Sequence, residues 1–90
     1  MGKMKLPLNY AILIYFTKHD EGDADSVIEA LTPEYARYRA FRKPAVIEAL
    51  MTAKENGILE EVRTELAAGD ALRVWYRLTE YGTGLIKRFL

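Results

Sequence analysis

Residues 43–82 constrain the chain most. A helical pattern over residues 43–56 runs into Gly57 and is followed at once by a strand pattern over 58–66. A turn at Ala68, Gly69 and Asp70 then leads into a second strand pattern over 71–78. Val46, Leu50 and Ala53 recur at i, i+4 and i+7 with Ile47 beside them, and Gly57 stands where a helix closes through a left-handed residue. Pairing Leu66 with Leu72 puts Ile58, Val62, Thr64, Leu66, Leu72, Val74, Tyr76 and Leu78 on one face of the hairpin, with only Glu60 out of character. The same register sets Glu65 opposite Arg73, Arg63 opposite Trp75 and Glu61 opposite Arg77 on the other face. Two opposite-charge pairs and a cation–π contact reinforce what hydrophobicity selects, and a slip of one residue would scramble both faces.

Before this unit the pattern is helical. Pro7 opens a first helix over residues 8–19, in which Leu8, Ala11, Ile12, Tyr15 and Phe16 follow helical spacing and Leu13 and Ile14 widen the apolar surface almost all the way round. Asp23 is a good N-cap for residues 24–31, with Ala24, Val27, Ile28 and Leu31 as the inward stripe. Thr32, Pro33 and Glu34 have the order of cap, first-turn proline and first-turn acid, so a short further helix is expected to start there; Pro44 disfavours helix at Lys43. After the hairpin, Thr79 caps a last helix over 80–90 with Leu85, Ile86, Phe89 and Leu90 apolar, and Gly82 and Gly84 weaken its first turn.

Ninety residues make one domain, here residues 1–90, and at this size only about 60% of the unfolded surface is buried on folding. Without cysteine there is neither a disulfide framework nor a thiolate metal site. The longest apolar run, residues 11–16, falls far short of a membrane span. Lys3 and Lys5 precede a stretch that Pro7, Asn9 and Tyr10 interrupt, so no leader is read and a cytoplasmic protein is expected. His19 is the sole imidazole, and Asp20, Glu21, Asp23 and Asp25 lack the spacing of a calcium loop. No phosphate-binding glycine loop, nucleophile elbow or zinc-protease motif occurs, so no catalysis, cofactor or metal is expected. Thirteen basic and thirteen acidic residues cancel, yet Arg37, Arg39, Arg42 and Lys43 form a run broken only by Tyr38, Ala40 and Phe41.

The segments KENGILEE (residues 54–61) and VWYRLTEYG (residues 74–82) resemble the "EKGLIE" and "YRLTEKG" signatures of small winged helix-turn-helix regulators of the MarR/PadR-like kind. The resemblance spans residues 8–90, with its specific residues between 54 and 82. It implies an α+β fold with three or four N-terminal helices, a two-stranded hairpin wing and a C-terminal helix. It further implies a homodimer joined through the first and last helices that binds double-stranded DNA and regulates transcription. In such proteins the helix before the wing enters the major groove and the wing lies along the adjacent backbone or minor groove.

On that mapping the outward helix face is Pro44, Ala45, Glu48, Met51, Thr52 and Glu55, which has no Arg, Asn or Gln for bidentate base contacts. The candidate DNA-binding residues are therefore Arg37, Arg39, Arg42 and Lys43 ahead of the helix, Thr52 on it, and Arg63 and Arg73 on the wing. The alternative for the basic run is a solvated segment anchored by Tyr35, Tyr38 and Phe41, and for Arg73 and Arg77 it is cross-strand pairing. The alternative for the whole chain is a winged-helix module that binds protein around Trp75 or the terminal helices, without DNA.

Overall fold

Asp23, Gly57 and Thr79 are the three joints on which the fold turns. The computed structural model describes residues 7–66, 69 and 71–89. In chain order these form helices α1 (Leu8–Lys18), α2 (Ala24–Tyr35) and α3 (Lys43–Glu55), strands β1 (Leu59–Leu66) and β2 (Leu72–Leu78), and helix α4 (Glu80–Phe89). Asp23 starts α2 by accepting the Ser26 N–H at 2.9 Å. Gly57, at φ +80°, ends α3: its N–H donates to the Lys54 carbonyl and the Ile58 N–H to that of Ala53, each at 2.9 Å. These two bonds satisfy carbonyls that the helix end leaves open, and they turn the chain directly into β1. Thr79 Oγ1 accepts the Gly82 N–H at 2.9 Å and donates to the Gly57 carbonyl at 2.6 Å, so one hydroxyl starts α4 and ties it to the end of α3.

The core lies between the helices and the base of the hairpin. Ile12, Tyr15 and Phe16 of α1 meet Val27, Leu31 and Tyr35 of α2, Val46, Leu50 and Ala53 of α3, and Leu59 and Tyr76 of the strands. Ile86 of α4 is buried as well. The stripes read at helical spacing are the ones that turn inward.

Two expectations are corrected. No second helix starts at Thr32, because α2 continues through Pro33 to Tyr35. The Thr32 hydroxyl donates to the Ile28 carbonyl at 2.6 Å instead of capping, and the Ala36 N–H reaches the Thr32 carbonyl beyond the proline. An interior proline costs about 3 kcal/mol. Tyr35, one turn past Leu31 on the same face and only 2% exposed, offsets that by burying an aromatic ring. Residues 36–42 are irregular.

The second correction concerns the hairpin. Leu66 pairs with Leu72, Glu65 with Arg73, Thr64 with Val74 and Arg63 with Trp75, as expected, but a bulge at Val62 shifts the rest. Glu61 faces Tyr76, Glu60 faces Arg77 and Leu59 faces Leu78. An extra residue on one strand exchanges its faces, so Leu59 enters the core at 1% exposure and Glu60 turns out to bond Arg77 at 2.6 Å. The bulge thus takes Glu60 off the face of Tyr76 and Leu78 and brings Glu61 onto it opposite Tyr76, where Lys54 of α3 meets its carboxylate at 2.9 Å. In the turn, Gly69 has φ +75°, while Ala68 and Asp70 lie outside the described residues, as do Lys3, Lys5 and Leu90.

Gly82 and Gly84 do not play the same part. A Cβ on Gly82 would run into the Ile58 carbonyl oxygen, whereas one on Gly84 meets nothing within 4 Å. We expect Gly82→Ala to destabilise the fold by about 1–3 kcal/mol as α4 is pushed off β1. Gly84→Ala should stabilise it by about 0.5–1 kcal/mol. Thermal unfolding of the two variants checks both signs.

Candidate nucleic-acid interface

An aromatic residue at every third position holds the basic segment before α3. Tyr35 is buried, Tyr38 packs edge-on against it with ring centroids 5.0 Å apart, and Phe41 lies 6.3 Å from the Tyr35 ring. Backbone bonds from the Tyr38 N–H to Tyr35, Phe41 to Tyr38 and Arg42 to Ala40, all 2.9–3.0 Å, fold the segment into successive turns. Arg37, Arg39 and Arg42 are thereby left on the solvent side, and among the described residues they form no ion pair. Arg42 also stands at the N-cap of α3 without a capping side chain, so the positive end of that helix opens beside these arginines. Lys43 is less free, with its Nζ 2.9 Å from Asp25 and both side chains half exposed.

The solvent face of α3 is the expected one: Pro44, Ala45, Glu48, Met51, Thr52 and Glu55 are all exposed. Thr52 lies on the flank toward α1, in an open hollow with Leu8, Leu13, Glu48 and Asn56. Ile47, beside the inward stripe of Val46, Leu50 and Ala53, is 40% exposed and faces the wing.

The wing arginines are engaged. Arg63 lies over the Trp75 ring at 4.3 Å and bonds Glu65 at 2.9 Å and Glu21. The Arg73 guanidinium lies 5.3 Å from the centre of the same ring and donates through Nε to Asp23 at 2.7 Å. Its partner is thus the helix cap and not Glu65, which stands opposite it in the ladder. Trp75 is covered by both guanidinium groups and is not a free aromatic on the wing surface. Beside it the backbone of Gly22 exchanges two hydrogen bonds with Tyr76, at 3.0 and 2.9 Å, so the loop before α2 lies along the outer edge of β2.

Asp23 is therefore shared between α2 and the wing. Burial would raise its carboxyl, but the Ser26 hydroxyl at 2.6 Å, the Ser26 N–H and the Arg73 guanidinium outweigh that and hold its pKa below the ordinary aspartate value. Among the described residues no cluster of carboxylates or imidazole is arranged to hold a metal, and no helix is long and apolar enough to cross a membrane.

Solved structures share this fold. PadR of Bacillus subtilis, determined in complex with operator DNA, superposes with a TM-score of 0.72 at 20% identity over 91% of this chain and 45% of its own. A PadR-like transcriptional regulator of Bacillus cereus gives 0.68 at 15% identity, covering 91% of this chain and 76% of that one. A PadR-like transcription factor of Bacteroides fragilis gives 0.65 at 21%, covering 90% and 74%. The chain has the winged-helix fold. It spans a little under half the length of Bacillus subtilis PadR. No protein-family model matches the chain, and no curated protein sequence matches it.

Two features of the surface escape a reading of the residues alone. Leu66 and Leu72 belong to the apolar face of the hairpin but are 76% and 62% exposed, because the wing projects past the helices that cover its base. The Asp23–Arg73 pair joins residues fifty positions apart, and no local spacing announces it.

The lowered carboxyl of Asp23 fixes the sign of a pH effect. Its contribution to stability is complete above the ordinary aspartate range and is lost as the pH falls below about 4, through the folded-state value. Replacing Asp23 by Ala should cost about 1–2 kcal/mol at pH 7 through removal of the cap. The difference from the parent protein should shrink toward pH 3, as followed by urea unfolding at both pH values.

Proposed function

We propose that this protein is a winged-helix DNA-binding regulator of transcription, of the PadR-like kind, acting in the cytoplasm as a homodimer of single-domain subunits. The observation that carries the reading is the division of positive charge. Arg63, Arg73 and Arg77 of the wing are held by carboxylates, whereas Arg37, Arg39 and Arg42 stand exposed and unpaired among the described residues at the amino end of α3. Guanidinium groups grip phosphates well, and a helix amino terminus adds to their attraction. The operator complex of the similar Bacillus subtilis PadR supports the same reading.

In this assignment Arg37, Arg39 and Arg42 contact the DNA backbone, with Lys43 joining them by exchanging Asp25 for phosphate, and Thr52 reaches base or backbone from the α1 side. Arg63 and Arg73 shape the wing and contribute less to DNA contact. Dimerisation runs through α1 and α4, which pack on one another and expose Tyr10, Tyr81 and Phe89. A role in protein binding without DNA is the second reading, favoured by the formal charge of zero and by exposed Leu66 and Leu72.

Binding to random duplex DNA, titrated with salt, separates the two. We expect affinity to fall as salt rises. Changing Arg37, Arg39 and Arg42 together to Ala should flatten the logarithmic slope by about 0.9 for each phosphate no longer neutralised. Absence of binding at low salt would select the second reading. For the dimer, sedimentation should show the intact chain as a dimer and Phe89→Asp shifted toward monomer; an intact chain that stays monomeric at high concentration removes the dimer.

A further inference from the structure

The solvent face of α3 lacks the side chains that read purines. Bidentate contacts to guanine come from Arg or Lys and those to adenine from Asn or Gln. The exposed positions of this helix carry no Arg or Gln, and its lysines 43 and 54 are drawn to Asp25 and Glu61, each at 2.9 Å. What the flank toward the wing carries instead is apolar. Ile47 is 40% and Met51 51% exposed, one turn apart, and with Leu50, Leu72 and Val74 they line a cleft of about 100 Å³.

That size excludes most occupants. A drug-sized ligand needs at least about 300 Å³, and a partner helix needs a groove long enough for several side chains. A methyl group projecting from a larger surface fits. The charged residues lining the cleft are two acid–base pairs, Asp23 with Arg73 and Asp25 with Lys43, so neither sign prevails there; at the Lys43 end the uncapped amino terminus of α3 and Arg42 beside it suit phosphates and favour a duplex as that surface. Glu48, further along the exposed face, repels phosphate but can accept a hydrogen bond from the cytosine amino group. The backbone is thus favoured at the amino end of the helix and disfavoured along its middle, where base edges would lie.

We propose that α3 reads DNA through thymine methyl groups seated against Ile47 and Met51, in place of hydrogen bonds to purines. This rests on the DNA-binding function proposed above and specifies which bases the helix recognises. Discrimination is by apolar contact with the C5 methyl, and the cleft between α3 and the wing is the part of the surface that supplies it.

The test starts by selecting bound duplexes from a random library with the intact protein, then replacing their thymines by deoxyuridine one at a time, which removes only the methyl group. At one or two positions in each site, uracil should weaken binding by about fourfold per methyl, the value of one buried carbon. In the Ile47→Ala, Met51→Ala double variant, thymine and uracil should bind alike while the salt slope stays that of the parent. Both side chains are exposed, and circular dichroism shows whether the variant keeps its fold. Selected duplexes that bind equally well with uracil throughout would overturn this inference and leave the DNA-binding function standing. A library from which nothing is enriched, together with no salt-dependent binding to any duplex, would overturn both.

Discussion

The carboxylate of Asp23 is the point through which the helical part and the wing are held in one arrangement. A two-stranded hairpin alone is marginal in water and needs a surface to pack on. Here its base is covered by the core through Leu59 and Tyr76, and its outer edge is closed by the Gly22 backbone. Asp23 adds a link of a different kind, because one carboxylate oxygen, Oδ1, caps α2 through Ser26 while the other, Oδ2, receives Arg73. A carboxylate only 2% exposed is tolerable because its acceptor sites are filled by a hydroxyl, an amide and a guanidinium. Together with the Gly57 junction and the core contacts of Leu59 and Tyr76, this shared group holds the wing beside α3, and Asp23 itself lines the cleft between them.

The same link accounts for the distribution of charge. Formal charge is zero, but the acids are not spread evenly among the bases. Glu21, Asp23, Glu60, Glu61 and Glu65 lie in or against the hairpin and take up Arg63, Arg73, Arg77 and Lys54. Apart from Asp23–Arg73, these pairs are exposed and contribute little to stability. Their effect is to lower the field of the wing, while the 36–42 segment keeps its own. Net charge is therefore a poor guide to this surface, since partners within an ion pair cancel locally and unpaired groups act within about a Debye length, roughly 8–10 Å.

Most of the architecture was legible because it depends on local signals. Asp23, Gly57 and Thr79 act at element ends through their own side chains or backbone, and the inward stripes of α1, α2 and α3 follow from helical period. Where two local signals competed, the reading failed for lack of tertiary information. The cap signal at Thr32 gave way to the burial of Tyr35, and the strict alternation of the hairpin gave way to a bulge that Glu60, placed on an apolar face, had already hinted at. The candidate site was legible in its composition and less so in its pairing. That Arg63 lies on Trp75 follows from register, whereas the choice of Asp23 by Arg73 depends on how α2 meets β2. Ile47 was left unassigned because it sits at the edge of the inward stripe, where helical period alone does not decide exposure.

A small set of unpaired cations has a consequence for recognition. On the DNA-binding reading, the proposed interface of each subunit offers three arginines, Arg37, Arg39 and Arg42, that are unpaired among the described residues, and one lysine that must first leave Asp25. Few counterions are then released on binding, and the sequence-independent part of the affinity is modest. Glu48 and Glu55 on the exposed helix face reduce it further by repelling phosphate wherever the register on the duplex is wrong. Repulsion of wrong arrangements is as effective a source of specificity as attraction in the right one. A near-neutral protein with an acidic, apolar reading face would thus bind random DNA weakly and depend on matched base edges for a larger share of its binding energy than a uniformly basic one. Joining two such subunits would then multiply the matched contacts without multiplying a strong non-specific background.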